Sequence, residues 1–206
     1  PFNHGLGAVH YHSVTFENLE ANTKYAWRVQ GARGDWSEWY QTRTAPKTGP
    51  TSFVYLGDAQ QGIRSHWSRV IRAAYEAAPD AKFFLHAGDL VQKGDSDYNW
   101  GEWFAAGSYL HARIPCVPVV GNHEYIPVTE AETGKKRRVL TPLWRAQFTL
   151  PVDKELPESL HEAVYEVKYT DDLHLFVLNS APSDYETQAK WLDKKLAATN
   201  ATWRVV

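Results

Sequence analysis

Three predicted strand ends at nearly equal intervals constrain the fold of this 206-residue chain more than any other feature. In each case an apolar run ends in a glycine that is followed by an oxygen-bearing side chain: Gly57-Asp58, Gly88-Asp89 and Gly121-Asn122. The three oxygen-bearing residues are 31 and 33 residues apart, about the length of one β-α unit. Because neighbouring parallel strands end at the same edge of a sheet, where open α/β sheets bind ligands, this spacing predicts that the three side chains meet.

The segments around these strand ends predict an α/β domain. The apolar runs are unbroken, which is typical of strands in a sheet that is covered on both faces. The predicted strands cover residues 52–56, 82–86, 114–120, 163–169, 173–178 and 203–206. Apolar residues at helical spacing predict a helix over 67–78, with one face formed by Trp67, Val70, Ile71, Ala74, Tyr75 and Ala78. A second helix is expected over about 99–111, and a third after a capping box made by Ser183 and Glu186.

The first 46 residues follow a different pattern, with short alternating stretches that are typical of antiparallel strands. A stretch rich in proline, glycine and threonine then predicts a linker at 47–51, followed by the α/β domain over 52–206. The segment Leu19–Tyr25 resembles the tyrosine corner of fibronectin type III domains, with Ala21 in place of a proline. Because a complete sandwich of that type needs about 100 residues, we expect only its C-terminal part in 1–46.

Composition excludes several classes of protein. A net charge of −2 and a pI of about 6.6 give no overall electrostatic reason to bind nucleic acid. The longest apolar runs fall far short of the roughly 18 residues that a membrane-spanning helix needs. The lone Cys116 excludes a disulfide framework and any multi-cysteine metal site. One local exception is the basic run 134–138, which is either a solvated loop tip or a patch that binds phosphate or a polyanion.

The chemistry of the three strand ends points to a metal. Two carboxylates and an amide oxygen that converge would repel one another unless a cation lay between them, and a hard or borderline divalent metal fits such a set. His123, directly after Asn122, adds a group that can donate a proton or bind an oxyanion.

The motifs Gly57-Asp58, Gly88-Asp89-Leu90 and Gly121-Asn122-His123-Glu124 resemble the first three motifs of the calcineurin-like metallophosphoesterases. Together with the tyrosine corner and the linker, they resemble the purple acid phosphatase branch of that family. The resemblance implies an α/β metallophosphoesterase sandwich, in which β-sheets are flanked by helices, preceded by part of an all-β fibronectin III-like sandwich. It also implies that Asp58 binds one metal and Asp89 bridges two. Asn122 would bind the second metal, and His123 would be the catalytic residue that contacts the phosphate.

The function implied by this resemblance is that of an acid phosphatase-like enzyme, which hydrolyses phosphate monoesters of small molecules by a metal-bound hydroxide. The cofactor would be two divalent or mixed-valence metal ions, drawn from Fe, Zn, Mn and Mg. A phosphodiesterase or nucleotidase on the same scaffold is one alternative, and a non-catalytic binding module is another. The branch is typically secreted, so a secreted or periplasmic location is expected; the sequence indicates no oligomeric state.

The sequence departs from the family pattern at three points. Gln60 and Gln92 stand where the family or its purple branch has a histidine and a tyrosine, and either glutamine could supply an amide oxygen instead. The family's later histidine ligands are not found in 1–206, so we expect this segment alone to be incomplete and weakly active.

The aromatic stretch Tyr98, Trp100, Trp103 and Phe104 is interpreted as helix core rather than as a substrate pocket, and His86 as a packed strand residue.

Overall fold

The computed structural model describes residues 2–3, 8–181 and 184–206. Its strands are β1 (Phe2–Asn3), β2 (Ala8–Val9), β3 (Lys24–Trp27), β4 (Tyr40–Arg43), β5 (Val54–Leu56), β6 (Phe84–Ala87), β7 (Cys116–Val119), β8 (Tyr125–Thr129), β9 (Lys136–Leu140), β10 (Tyr165–Lys168), β11 (Leu173–Val177) and β12 (Trp203–Val205). Its α-helices are α1 (Ser68–Ala77), α2 (Asp97–Gly107), α3 (Tyr109–Arg113), α4 (Pro142–Gln147) and α5 (Tyr185–Ala198). A π-helical turn (Ile63–Trp67) precedes α1, and 3-10 turns lie at Asn122–Glu124 and Glu158–Leu160.

Two three-stranded sheets form the centre of the fold. The first has the order β5-β6-β7 and is parallel throughout, with Phe84 opposite both Val54 and Cys116. In the second, β11 pairs antiparallel with β10 and parallel with β12. The first sheet therefore has the β-α-β-α-β connection that the spacing of the glycine-led strand ends predicts, and all three of its strands end at one edge.

The two sheets pack face to face between two layers of helices. The shared interior consists of apolar and aromatic side chains from both sheets: Phe83, Leu85, Val117, Tyr165, Leu173, Leu175 and Val177. On the outer face of the first sheet, Ile71 of α1 and Trp100 and Trp103 of α2 pack in one buried cluster with Phe84. On the outer face of the second sheet, Trp191 of α5 packs against Phe176. The predicted sandwich of β-sheets flanked by helices is thus confirmed.

The N-terminal region contains a short hairpin of β3 and β4 that carries the predicted tyrosine corner. The hydroxyl of Tyr25 accepts a hydrogen bond from the backbone N–H of Glu20 at 2.9 Å, and the Tyr25 ring is half-buried. The linker is attached to the turn after β10, because the Lys47 carbonyl accepts from the Asp171 N–H at 2.7 Å. The described strands here form two separate two-stranded sheets, so the fibronectin III-like sandwich stays a prediction.

Several local predictions were wrong. The helix expected over 99–111 breaks at Ser108, which has a φ of 46° and separates α2 from α3. Val70 is 47% exposed rather than part of the buried face of α1. The sequence predicts a loop for the basic run 134–138, whereas most of it belongs to β9, which pairs with β8. Lysine is depleted in strands, and neither lysine nor arginine is among the residues enriched there, so the pairing partner rather than the local sequence determines this strand.

Two points concern the limits of single elements. The predicted capping residue Ser183 lies outside the described residues; within them, α5 begins after Asp184, which makes no side-chain capping bond. In the described ranges, no helix has both the length and the apolar character that crossing a bilayer requires.

Candidate metal centre

The structure brings Asp58, Asp89 and Asn122 together at the carboxyl ends of β5, β6 and β7. All three residues line one cavity of about 790 Å³, which also extends to Asn179 after β11. The spacing of the motifs predicts this arrangement, because parallel neighbouring strands end at the same edge. The roles of the three residues as ligands stay a prediction.

Both aspartates lie in the left-handed region of backbone conformation. The φ angle is 55° at Asp58 and 53° at Asp89, and the Asp58 N–H donates to the Gly88 carbonyl at 3.2 Å. A residue other than glycine in this region costs on the order of 1–3 kcal/mol and often marks a functional site. The sharp turn lets a short side chain leave the strand end at once, and both aspartates line the cavity.

The glycines of the second and third motifs allow the two loops to touch. A Cβ atom added to Gly88, whose φ is 88°, would lie 2.9 Å from the Cα of Gly121. A Cβ atom on Gly121 would in turn overlap the backbone nitrogen and the carboxylate of Asp89. A side chain at either position would therefore push apart the two loops that carry Asp89 and Asn122.

Glu124 ties these loops together, a role that the sequence motif alone does not reveal. Its side chain is 0% exposed and accepts four backbone N–H groups: from Gly121 at 2.7 Å, Leu90 at 2.8 Å, Asp89 at 3.0 Å and Val91 at 3.4 Å. Burial raises the pKa of Glu124, and the amides of Gly121, Val91 and Leu90 oppose that rise. Because all four partners are donors, the ionised carboxylate matches its surroundings better than the protonated acid does.

His123 is held at both its backbone and its ring. The backbone N–H donates to Oδ1 of Asp89 at 2.9 Å, and the ring Nδ1 lies 2.8 Å from the Gln92 carbonyl oxygen. A carbonyl oxygen only accepts, so Nδ1 carries the proton. The other ring nitrogen, Nε2, makes no hydrogen bond with the described residues.

The donors at this edge fit a divalent metal. Asp58 and Asn122 are exposed towards solvent, whereas Asp89 is 9% exposed. The amide oxygen Oε1 of Gln60, two residues after Asp58, is buried and accepts no hydrogen bond from the described residues, although Gln60 does not itself line the cavity. Such a set consists of oxygen donors, which suit hard cations such as Mg²⁺ and Mn²⁺. Among the described residues no group of three or more His, Cys, Asp or Glu could hold a metal. A metal at this edge would therefore need amide oxygens besides the two carboxylates.

Other residues that the sequence singled out lie elsewhere. Trp100 and Trp103 are fully buried in the core between α2 and the first sheet, so their interpretation as helix core is confirmed. Tyr98 is 64% exposed, so the interpretation as helix core is wrong for this residue, which lies in the first turn of α2 and faces solvent. His86 is a packed strand residue, as predicted, and is 0% exposed.

Arg138 is a neighbour of the site that sequence reasoning missed. Its Nη2 donates to the backbone carbonyls of Asn122 and Tyr125, both at 2.6 Å. The signal in the sequence was the basic run, but its position beside the third motif follows only from the pairing of β9 with β8.

Comparison with protein families gives two matches along the chain. Residues 51–206 match the model of the calcineurin-like phosphoesterases, and residues 3–44 match that of the purple acid phosphatase N-terminal domain.

The chain is also similar to individual phosphatases and solved structures. The chain is 28% identical to a purple acid phosphatase of Glycine max in a match 220 residues long, which covers 100% of this chain and 44% of that protein. Among solved structures, the purple acid phosphatase PPD1 from seeds of yellow lupin (Lupinus luteus) matches with a TM-score of 0.66 at 19% identity, covering 89% of this chain and 35% of that one. A structure of PhoD matches with a TM-score of 0.58 at 16% identity, covering 90% and 47%. The chain thus spans less than half the length of these relatives.

Proposed function

The chain belongs to the calcineurin-like phosphoesterase family, and from that membership we propose that the full-length protein hydrolyses phosphate monoesters with the help of two metal ions. The observation that carries the proposal is the convergence of Asp58, Asp89 and Asn122 on one cavity, next to His123, whose backbone N–H donates to Asp89 and whose ring is held by the Gln92 carbonyl. The proposal includes the secreted or periplasmic location, which rests on the family resemblance.

In this proposal, Asp58, Asp89 and Asn122 hold the metals, and Gln60 supplies a further amide oxygen. When bound, divalent metals acidify a water molecule and neutralise the negative charge of the phosphate group. The oxygen donors of this segment suit hard ions such as Mg²⁺ or Mn²⁺.

The protein's own residues orient the substrate and handle the proton. His123 turns Nε2 towards the substrate, because its Nδ1–H donates to the Gln92 carbonyl. In the imidazolium form, Nε2–H donates to a phosphate oxygen or passes its proton to the leaving-group oxygen. The same residue donates its backbone N–H to Asp89, so the imidazole and the carboxylate are oriented as one unit. Glu124 stabilises the loops that carry Asp89 and His123, because its carboxylate accepts hydrogen bonds from four of their backbone N–H groups. Outer contacts of this kind fix the orientation of metal ligands.

The test compares hydrolysis of an aryl phosphate monoester and a bis-aryl phosphodiester by the full-length, metal-loaded protein. We expect faster turnover of the monoester, and a loss of at least about 100-fold in kcat/KM for Asp89→Asn, because outer contacts of a metal site are already worth about 10–100-fold. The matched control is Asp95→Asn, an exposed acid of the same loop that does not line the cavity.

Two results would contradict the proposal in different ways. Faster turnover of the diester would favour a phosphodiesterase or nucleotidase. Absence of turnover with both substrates, in protein shown to bind metal, would favour a non-catalytic binding module.

A further inference from the structure

A basic hairpin, residues 125–140, begins one residue after Glu124 and rises from the candidate site. It consists of β8 and β9, paired antiparallel with Tyr125 opposite Leu140 and Thr129 opposite Lys136. Between them these strands and their turn carry four cationic residues, Lys135, Lys136, Arg137 and Arg138, against the two acids Glu130 and Glu132. The hairpin is therefore positive in a chain whose net charge is −2.

Arg138 fixes this hairpin to the site. Its Nη2 donates to the carbonyl of Asn122, the predicted metal ligand, and to the carbonyl of Tyr125, both at 2.6 Å. A guanidinium has five N–H donors in a planar fork. With only Nη2 engaged by the described residues, the Nε and Nη1 donors are left for another acceptor close to the third motif.

The other cations of the hairpin differ in whether they are already paired. Arg137 forms an ion pair with Glu130 at 3.3 Å. Within the described part of the chain, Lys135, Lys136 and Arg138 form no ion pair with a carboxylate, and all three are exposed. Three exposed cations of the hairpin are therefore available for an anion, and one of them, Arg138, lies against the third motif.

Strand geometry places Lys136 and Arg138 on one face of the hairpin. Side chains two residues apart on a strand point to the same side and are about 7 Å apart along it. Because Arg138 reaches the Asn122 carbonyl from that face, Lys136 lies on the same side, further from the site. Arg137 lies on the opposite face with its partner Glu130.

We propose that the basic hairpin, through Arg138 and Lys136, recognises a second anionic group of the substrate, so that phosphate esters carrying a further phosphate are preferred over simple monophosphates. The inference rests on the proposed function and deepens it by naming a substrate class and its specificity-determining residues. A single phosphate is engaged at the metal centre, whereas a second phosphate, attached to the first or held nearby on the same small molecule, reaches the hairpin. The guanidinium fork suits such a group, because arginine binds phosphate oxygens in pairs.

The test uses the full-length, metal-loaded protein and two substrates, an aryl monophosphate and adenosine triphosphate. The readout is the ratio of kcat/KM for the triphosphate to kcat/KM for the monophosphate. We expect Arg138→Gln to lower this ratio at least tenfold, mainly through KM, and Lys136→Gln to lower it severalfold. Arg138→Lys should restore part of the loss, and Arg137→Gln, the matched control on the opposite face, should leave the ratio unchanged.

Arg138 also donates to the backbone of the third motif. A change in its variant could therefore reflect either lost recognition of the second phosphate or lost support of the metal site. Lys136→Gln separates these two effects, because Lys136 pairs with Thr129 at the end of the hairpin away from the motif loops, and its side chain forms no hydrogen bond or ion pair with those loops among the described residues. Equal losses for both substrates in Arg138→Gln, together with no change of the ratio in Lys136→Gln, would overturn the inference.

A binding measurement keeps this inference distinct from the proposed function. Titration calorimetry of the metal-loaded protein compares inorganic tripolyphosphate with orthophosphate. Tighter binding of tripolyphosphate that is weakened in Lys136→Gln supports the role of the hairpin even if neither substrate is hydrolysed. Equal affinity for the two anions contradicts that role, whatever the turnover.

Discussion

Replacing Glu124 with alanine should destabilise the protein and abolish hydrolysis at the same time. The substitution leaves the backbone N–H groups of Gly121, Asp89, Leu90 and Val91 without their acceptor. An unpaired buried donor costs about 1–3 kcal/mol, and water entering the space offsets part of this cost. We therefore expect the free energy of unfolding to fall by on the order of 4 kcal/mol, measured by urea denaturation.

The isosteric variant Glu124→Gln separates charge from shape. Each carboxylate oxygen of Glu124 accepts two N–H groups, so an NH₂ group in either place would face donors instead of finding an acceptor. We expect this variant to fold, to be less stable by roughly 2–3 kcal/mol, and to lose most of its kcat. Glu76→Gln, an exposed position on α1, is the matched control. A Glu124→Gln variant with wild-type stability and turnover would show that the carboxylate does not hold the loops.

Acid should destabilise the fold through two buried histidines, His86 and His111. Their rings lie 5.8 Å apart between centroids, and His111 stacks on Trp103 at 4.2 Å. None of their four ring nitrogens has a hydrogen-bond partner in the described chain. Burial lowers the pKa of His86 to about 3, with a smaller contribution from His111, and burial lowers the pKa of His111 to about 4.

The direction of the effect follows from proton linkage. The unfolded chain binds protons at these histidines near pH 6.5, whereas the folded chain does not until pH 3–4. The stability that depends on their neutral form is complete above pH 6.5 and is lost as the pH falls below it. A pH of 5 is about 1.5 units below the pKa of each histidine in the unfolded chain. This difference corresponds to a loss of about 2 kcal/mol in the free energy of unfolding for each histidine. With some discount for the partial exposure of His111, we expect a loss of about 3–4 kcal/mol between pH 7 and pH 5.

The measurement is urea denaturation of the full-length protein at several pH values, with two variants. His86→Phe and His111→Leu should each flatten the dependence of the unfolding free energy on pH between 5 and 7. The exposed His66, changed to Asn, is the control and should keep the wild-type dependence. An unchanged slope in His86→Phe would mean that this histidine is hydrated or already protonated in the folded protein.

The sequence predicted those parts of the molecule that depend on local pattern and on chain distance. Asp58, Asp89 and Asn122 could be placed at one sheet edge because each follows a glycine at the end of an apolar run, one β-α unit after the last. The layered fold followed from the same alternation of strands and helices, since unbroken apolar strands must be covered on both faces.

The parts that could not be predicted depend on contacts between distant segments. The carboxylate of Glu124 reaches backbone amides of residues 89–91, and no local pattern shows that a motif glutamate faces inward. β9 contains Lys136, Arg137 and Arg138, whose polarity hides a strand that exists because β8 pairs with it. The break at Ser108 depends on a positive φ that propensity does not indicate.

The most direct test of the account is a titration of the full-length, metal-free protein with Mn²⁺, followed by calorimetry. If Asp58, Asp89 and Asn122 form the metal centre, Asp58→Asn, Asp89→Asn and Asn122→Leu should each raise the Kd for Mn²⁺ by at least about tenfold. Asp95→Asn, which changes the same charge just outside the cavity, should bind like the wild type. Wild-type affinity for Mn²⁺ in Asp89→Asn would contradict the account, because it would place the metal away from the edge where the three strands end.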